Sequence, residues 1–317
     1  MSHSCSLLSC VDEDDDRRYE LGDYEGSVAR WCPGCGDHAV LTAVEKLLVS
    51  EQLRPETTVF VSGIGCSSRF PHYLKTYGFH GIHGRALPVA TGVKLHRPEL
   101  DVFVVMGDGD CCSIGAGHWL HATRYNVDLT ALMLDNNIYG LTKNQTSPTT
   151  PQGHPSNTQP RGSWLPALNP IAATLGITNA SFVAQTAEWI PQHLFATLQA
   201  ARRHQGFSFV RILQRCPQFT PTLFQLALRE PERVEMLVHD DGVTVGGLGR
   251  IYPNQVQHDP RDLDAARRLA EFDGAIRLGV FFRDERRPRY DLLRRLEHLS
   301  PGRKVEILDA ELDRHAV

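Results

Sequence analysis

Two apolar segments that each end in a short polar cluster constrain the fold of this chain more than any other feature. The run at residues 102–106 ends in Gly-Asp-Gly-Asp at 107–110, and the run at 129–134 ends in Asp-Asn-Asn at 135–137. Two buried strands joined by about one helix can place both clusters at the same edge of a parallel sheet. That edge is where open α/β sheets bind their ligands.

The residue types in these clusters suit a diphosphate bound through a divalent cation. Asp108 offers a carboxylate and Asn136 an amide oxygen, and Mg²⁺ prefers oxygen ligands of this kind. The small residues leave room for a diphosphate beside a helix N-terminus, where free N–H groups favour anions. A Gly-Asp-Gly sequence alone is most often a turn. With a strand before each cluster, however, the pattern resembles the thiamine-diphosphate-binding motif.

That resemblance implies a set of Mg²⁺ ligands. They are Asp108, Asn136 and the backbone carbonyl of Ile138. Many proteins with this motif have Asn at the position of Asp135, a departure that leaves Asn136 in the ligand position. The residues predicted to contact the cofactor are Cys66, Ser67, His83, Gly107, Asp108, Gly109, Asp110, Asn136, Ile138, Gly140 and Leu141.

The composition is that of a globular protein with 317 residues, 41% hydrophobic and 22% charged, and a formal charge of −4. No segment approaches the roughly 18 uninterrupted apolar residues of a membrane span. The N-terminus lacks the basic and then apolar layout of a signal peptide, so we expect a cytoplasmic protein. No basic stripe with interleaved aromatic residues is present, so nucleic acid is not an expected partner.

The cysteines predict a metal or redox centre, because a cytoplasmic chain with eight cysteines seldom uses them in disulfides. The pair Cys32-Pro-Gly-Cys35 fits half of a zinc site, a redox pair or two ligands of an iron–sulfur cluster. No strand precedes it and no second Cys-x-x-Cys lies nearby. Cys66 and Cys216 each follow a predicted strand. From the residues alone, a four-cysteine iron–sulfur cluster and a zinc site remain alternatives.

Alternating strands and helices predict an α/β fold with a doubly wound, mostly parallel sheet. We divide the chain into a flexible acidic tail at 1–27, a cofactor-binding domain with one metal cluster at 28–225, and a C-terminal extension at 226–317 that serves as a subunit-contact arm. The predicted strands are 57–62, 102–106, 129–134, 207–213 and 274–282. The predicted helices are 37–48 (with Asp37 as a cap), 116–124, 187–203 and 290–296. Residues 143–170 form a long loop, and loops of that length are usually functional.

Several motifs in order resemble the β subunit of 2-oxoacid:ferredoxin oxidoreductases, a thiamine-diphosphate-dependent family. The resemblance covers roughly residues 28–220 and depends on the segments 31–36, 63–69, 83–88, 107–110 and 136–150. The 2-oxoglutarate type (2-oxoglutarate synthase) is the most similar, judging by residues 77–80 and 140–143.

The resemblance implies the cofactors and the reaction. One 4Fe–4S cluster would be bound by Cys32, Cys35, Cys66 and Cys216. Thiamine diphosphate with Mg²⁺ would decarboxylate 2-oxoglutarate, coenzyme A would take the acyl group as succinyl-CoA, and ferredoxin would receive the electrons, in a reversible reaction. Pyruvate and branched-chain 2-oxoacids are alternative substrates.

Three side chains are candidates for contact with the substrate. Arg69 could pair with a carboxylate, Lys143 could bind the distal carboxylate of 2-oxoglutarate, and His83 could bond the diphosphate or the reacting oxygen. The alternative for each is a solvated or structural charge. Asp110 is expected to support the turn and to contact a metal-bound water.

The resemblance also implies a partner. Thiamine enzymes activate the cofactor with a glutamate, which in this family comes from the other large subunit, and no such glutamate is evident here. We therefore expect activity only with an α subunit, as αβ or (αβ)₂. Two rival functions remain: a thiamine-dependent decarboxylase or acetolactate-synthase-like enzyme without the cluster, and a cysteine-coordinated zinc module.

Overall fold

The structure, a computed structural model, describes residues 17–271, 274–294 and 300–315. Its centre is a nine-stranded sheet with the strand order β2-β1-β3-β4-β6-β5-β9-β7-β8. The strands are β1 Thr58–Ser62, β2 Tyr77–His80, β3 Asp101–Gly107, β4 Leu129–Asp135, β5 Phe182–Ala187, β6 Phe207–Leu213, β7 Val234–Val238, β8 Gln255–Gln257 and β9 Ile276–Arg283.

Helices cover both faces of this sheet. They are α1 Leu21–Tyr24, α2 Asp37–Ser50, α3 Ala86–His96, α4 Ala116–Tyr125, α5 Pro170–Gly176, α6 Pro191–Arg203, α7 Gln225–Arg229, α8 Leu263–Leu269, α9 Tyr290–Leu293 and α10 Pro301–Arg314. A π-helical turn spans Asp110–Ile114, between β3 and α4. In the part of the chain that the structure describes, no helix has both the length and the apolar character needed to cross a membrane.

The first six strands are parallel, and in the inner strands alternate side chains are buried under helices on opposite faces. On β3, Phe103 and Val105 pack with α2 and α6, whereas Val104 and Met106 pack with α3, α4 and α5. The predicted mostly parallel, doubly wound α/β fold is confirmed. In the β3–β4 ladder Gly107 pairs with Leu134, so the two polar clusters follow adjacent strands at the same edge.

The C-terminal residues extend the same sheet. Strand β9 runs antiparallel to β5 with a bulge between Val183 and Ala184, and β7 and β8 then add parallel to β9. A separate apolar cluster lies under this extension. The sheet is therefore continuous across the boundary predicted at residues 225 and 226. The role of the extension as a subunit-contact arm stays a prediction.

The prediction of a flexible tail is wrong for residues 17–27. Tyr24 is fully buried, and its hydroxyl donates to the carbonyl oxygen of Leu53 over 2.7 Å. Gln52 hydrogen-bonds the backbone of Tyr19 at both its N–H and its carbonyl. Tyr19 and Tyr24 thus fix this segment beside α2. The acidic composition of the tail gave no indication of this packing. Residues 1–16 lie outside the described residues.

Several element boundaries differ from the predictions. Helix α6 begins at Pro191 and not at residue 187, because proline is accepted only at the first turn. Asp37 is the first residue of α2 and makes no cap hydrogen bond; the cap position is Gly36. Helix α9 ends at Leu293, and residues 295 and 296 lie outside the described part. Strands β2, β5, β7 and β8 and helices α1, α3, α5, α7, α8 and α10 were missed.

Candidate cofactor site at the carboxyl edge of the sheet

A cavity of about 430 Å³ lies at the carboxyl ends of β1, β3 and β4. Every residue predicted to contact the cofactor lines it. The further lining residues are Ile64, Gly65, Leu134, Tyr139, Thr142, Gln145 and Gln214. The structure therefore brings together segments that are far apart in sequence. Which of these residues contact a bound cofactor stays a prediction.

The turn after β3 has no room for a larger residue at Gly109. A Cβ atom on Gly109 would lie 2.2 Å from the ring of Tyr139, whose hydroxyl donates to the Gly109 carbonyl over 3.0 Å. A Cβ atom on Gly107 would lie 3.4 Å from Oγ of Ser67. The contact at Gly107 is an ordinary van der Waals distance, so only Gly109 must be glycine for the turn to pack against Tyr139. The π-helical turn that follows is a feature often found at functional sites.

The two candidate side-chain ligands of a divalent cation, Asp108 and Asn136, face one cavity. Oδ2 of Asp108 accepts hydrogen bonds from the hydroxyls of Ser147 at 2.5 Å and Thr149 at 2.7 Å. Oδ1 of Asn136 accepts from the backbone N–H of Ile138 at 3.2 Å. Burial and the neighbouring Asp135 raise the pKa of Asp108. A buried carboxylate of this kind fits a cation, because a cation would compensate its charge.

Asp135 is occupied by other partners and does not line the cavity. Its Oδ2 forms a buried ion pair with Arg211 of β6 at 2.6 Å. Its Oδ1 accepts from the backbone and side-chain N–H groups of Asn137 at 3.1 and 2.7 Å. The aspartate at this position is thus matched by an arginine on the adjacent strand, and Asn136 is the member of the pair that faces the cavity.

His83 and Asp110 form a hydrogen-bonded pair at the cavity wall. Nδ1 of His83 lies 2.7 Å from Oδ1 of Asp110, which also accepts from the N–H groups of Gly84 at 2.7 Å and Ile64 at 3.1 Å. Through these hydrogen bonds Asp110 joins the backbone at Ile64 and Gly84 to the turn after β3, as its predicted supporting role requires. Burial raises the pKa of Asp110, and these donors oppose the shift.

The other two substrate candidates lie outside the cavity lining. The guanidinium of Arg69 stacks over the ring of Tyr73 at 5.5 Å. Lys143 is exposed and has a φ of 74°. It directly follows the lining residues Leu141 and Thr142, so it stands at the rim of the cavity. Their contact with a substrate stays a prediction.

The four candidate cluster ligands come from three segments that hydrogen bonds hold together. The indole N–H of Trp31 donates to the carbonyl of Cys66 over 2.7 Å, which ties the 32–35 loop to the third cysteine. The N–H of Gly36 donates to the carbonyl of Arg215 over 3.1 Å, which brings Cys35 beside Cys216. The thiol of Cys66 is close enough to Cys32 and Cys216 for their charges to affect its pKa.

The four thiols are free, and two of them are held in their protonated form. Burial raises the pKa of Cys66 to about 12, and it raises the pKa of Cys35 further. A bound metal would deprotonate them. Across residues 17–271, 274–294 and 300–315, no three His, Cys, Asp or Glu side chains are close enough to bind one metal ion. Which metal group these thiols would bind stays a prediction.

Sequence reasoning missed the residues that support the site from behind. They are Ser147, Thr149, Asp135, Arg211 and Gln185, which form one buried hydrogen-bond network. The run of hydroxyl residues at 146–150 was visible in the sequence. Nothing in its spacing indicated that it returns to the end of β3.

The fold and the site define a thiamine-diphosphate-binding domain, in agreement with a family model. The model described as thiamine pyrophosphate enzyme, C-terminal TPP binding domain, matches residues 63–212. The 2-oxoglutarate oxidoreductase subunit KorB of Mycobacterium tuberculosis is 46% identical over 69% of this chain and 59% of its own length. The chain thus spans less than two thirds of the length of that relative. The β subunit of 2-oxoacid:ferredoxin oxidoreductase 2 of Aeropyrum pernix is 34% identical over 86% of this chain and 85% of its own length.

A solved structure extends this similarity to the whole fold. It is the 2-oxoglutarate:ferredoxin oxidoreductase of Magnetococcus marinus with 2-oxoglutarate, coenzyme A and succinyl-CoA bound. Its TM-score is 0.76 at 32% identity, over 95% of this chain and 93% of that one. The chain belongs to the family of 2-oxoacid:ferredoxin oxidoreductase β subunits.

Proposed function

We propose that this chain is the β subunit of an oxidoreductase that converts 2-oxoglutarate and coenzyme A to succinyl-CoA and CO₂ and passes two electrons singly to ferredoxin. The observation that supports this most is the position of Cys66. This residue lines the cofactor cavity and also approaches Cys32 and Cys216. The choice of 2-oxoglutarate is supported by the name of the mycobacterial relative and by the ligands of the Magnetococcus structure.

Thiamine diphosphate, when bound, supplies a carbon nucleophile for the keto group and a temporary acceptor for the electrons left after CO₂ departs. Asp108, Asn136 and the carbonyl of Ile138 would bind Mg²⁺, and the glycine-rich turn at 107–110 would lie against the diphosphate. Asp110 holds Nδ1 of His83, which leaves Nε2 of that ring for a proton or an oxygen of the bound molecules.

The cysteines would bind one 4Fe–4S cluster that receives the electrons. Cys32 is exposed and Cys216 is buried, so one end of the cluster would lie near the surface, where ferredoxin can approach. Gln214 links the two sites, because it lines the cavity and its amide lies 3.3 Å from Sγ of Cys35. Lys143 at the rim would bind the distal carboxylate of the substrate. Arg69 would pair with a substrate carboxylate from the side of the cavity nearer the cluster.

The proposed enzyme works only with an α subunit, as αβ or (αβ)₂. Among the described residues, no glutamate lines the cavity, which supports a partner as the source of the acid that would activate the aminopyrimidine. Ile82, next to His83, and Leu141 are exposed apolar residues beside the cavity, and a partner would cover them. The cytoplasmic location stays a prediction.

The test is ferredoxin reduction by the chain co-expressed with its α subunit under anaerobic conditions, with coenzyme A and a panel of 2-oxoacids. We expect about four irons and four sulfides per chain and the highest kcat/KM with 2-oxoglutarate. Asp108→Asn should abolish turnover and keep the iron. A colourless complex with zinc, or a decarboxylase without iron, would contradict the proposal.

A further inference from the structure

Two hydroxyl groups in the loop after β4 hold one oxygen of the candidate metal ligand Asp108. The hydroxyls of Ser147 and Thr149 both donate to Oδ2, at 2.5 and 2.7 Å, and all three residues are buried. Because two donors occupy the lone pairs of that oxygen, a cation would bind through Oδ1. The hydroxyls thus determine which oxygen of the carboxylate is available and where it points.

Thr149 also lies between two carboxylates, and the second one does not need its proton. Its Oγ1 is 2.7 Å from Oδ2 of Asp108 and 2.9 Å from Oδ1 of Asp135, but a hydroxyl has a single proton to donate. Asp135 already has Arg211 as counter-charge and accepts two N–H groups from Asn137. The proton of Thr149 is therefore free for Asp108.

The loop that contains these hydroxyls is fixed at both ends. The N–H of Ser147 donates to Oγ1 of Thr150 over 2.8 Å, and that hydroxyl donates to the carbonyl of Asn137 over 2.6 Å. The N–H of Leu168 donates to the carbonyl of Pro148 over 2.8 Å. The hydroxyls are thus in place before any cation binds, so they contribute without a further cost of ordering.

We propose that Ser147 and Thr149 are positioning residues that orient Asp108 for the divalent cation of the cofactor. The inference rests on the proposed function, since it concerns the Mg²⁺ bound with thiamine diphosphate. Residues that hydrogen-bond a metal ligand typically change metal affinity by about 10–100-fold when they are replaced. The effect should appear in the Mg²⁺ dependence of cofactor binding and not in the fold.

The experiment titrates Mg²⁺ into the metal-free co-expressed complex at saturating thiamine diphosphate and follows cofactor binding by calorimetry. Thr149→Val and Ser147→Ala should each raise the half-saturating Mg²⁺ concentration by about 10–100-fold, and excess Mg²⁺ should restore full binding. Thr149→Ser keeps a hydroxyl and should stay near the wild-type value. The matched control is Thr174→Val in α5, a buried hydroxyl that donates to the carbonyl of Pro170, which should not alter the Mg²⁺ requirement.

Half-saturating Mg²⁺ values within about twofold of wild type for both loop variants would overturn the inference. If Thr149→Val does not fold, Ser147→Ala decides alone, because it removes one hydroxyl and introduces no new group. A wild-type complex that binds no thiamine diphosphate at any Mg²⁺ concentration would refute the proposed function, and the inference with it. Normal wild-type binding with unchanged variants would refute the inference only.

Discussion

Nδ1 of His83 lies 2.7 Å from Oδ1 of Asp110, and this hydrogen bond joins the turn after β2 to the π-helical turn after β3. The same oxygen accepts the N–H groups of Gly84 and Ile64. An ionised carboxylate only accepts hydrogen bonds, so Nδ1 has the proton of the neutral ring and Nε2 is the acceptor. Asp110 therefore sets both the orientation and the tautomer of His83.

Asp110→Asn should lower kcat by at least about tenfold, because general acid–base groups contribute about 10²–10⁴-fold when correctly oriented. The affinity for thiamine diphosphate should change little, since the metal ligand Asp108 is intact. Ferredoxin reduction gives kcat, and calorimetry gives the cofactor affinity. A variant with unchanged kcat and an unchanged pH profile would exclude this role for Asp110.

Gly63→Ala should reproduce that loss without touching either member of the pair. Its Cβ would lie 2.0 Å from Oδ2 of Asp110, so the carboxylate would have to move and His83 with it. The matched control is Gly117→Ala in α4, where the new Cβ meets nothing within 4 Å. Equal kcat values for the two variants would show that the position of Asp110 is not critical.

Much of the lining of this site could be predicted from sequence, and its support could not. The clusters after β3 and β4 are readable because parallel strands end at one edge. Thr149 lies far along a loop, and only the folded chain brings it to Asp108. Tyr24 shows the same limit at the N-terminus. The acidic composition of this segment indicated flexibility, but the burial of the Tyr24 ring holds the segment against the domain.

The pH dependence of stability should reveal the buried carboxyl of Asp37. Burial raises its pKa from the usual 3.8 to about 7, and the neighbouring Cys35 thiol opposes only part of this shift. The folded chain then binds more protons than the unfolded one between these values, so metal-free protein should lose stability as the pH rises from about 4 to about 7. Above pH 7 the loss is complete.

Asp37→Asn tests this expectation, because asparagine cannot ionise. Urea unfolding of the cluster-free chain from pH 5 to pH 8 should give a shallower decline for the variant than for wild type. Glu45, whose pKa burial also raises to about 7, should account for part of the decline that remains. Identical slopes for both proteins would mean that Asp37 is ionised throughout this range.

Cys216→Ser should abolish the iron content that we expect for wild type, because its segment brings the fourth ligand beside Cys35 through the bond from Gly36 to Arg215. Iron and sulfide analysis of the anaerobic complex measures the loss. Cys111→Ala is the matched control, since this cysteine is buried in the apolar core under the opposite face and should leave the iron in place. Iron loss in both variants would point to general misfolding.

Lys143→Ala should separate 2-oxoglutarate from pyruvate. Lys143 is exposed at the cavity rim and lies in a turn with a backbone φ of 74°. Its N–H donates to the carbonyl of Gly140. Its side chain is thus presented from a fixed point beside the lining residues Leu141 and Thr142. A charged hydrogen bond to a distal carboxylate is worth about 1.5–3 kcal/mol. The kcat/KM with 2-oxoglutarate should therefore fall by roughly 10–100-fold, while that with pyruvate, which lacks this carboxylate, should change by less than about threefold.

Lys143→Arg distinguishes a charge requirement from a shape requirement, because arginine keeps the charge and changes the geometry. Partial recovery with 2-oxoglutarate would support an ion pair with the distal carboxylate. Equal losses with both substrates would instead assign Lys143 to a molecule common to both reactions, such as coenzyme A. In that case the 2-oxoglutarate preference would have to arise from Arg69 or from the α subunit, and Arg69→Ala would become the discriminating variant.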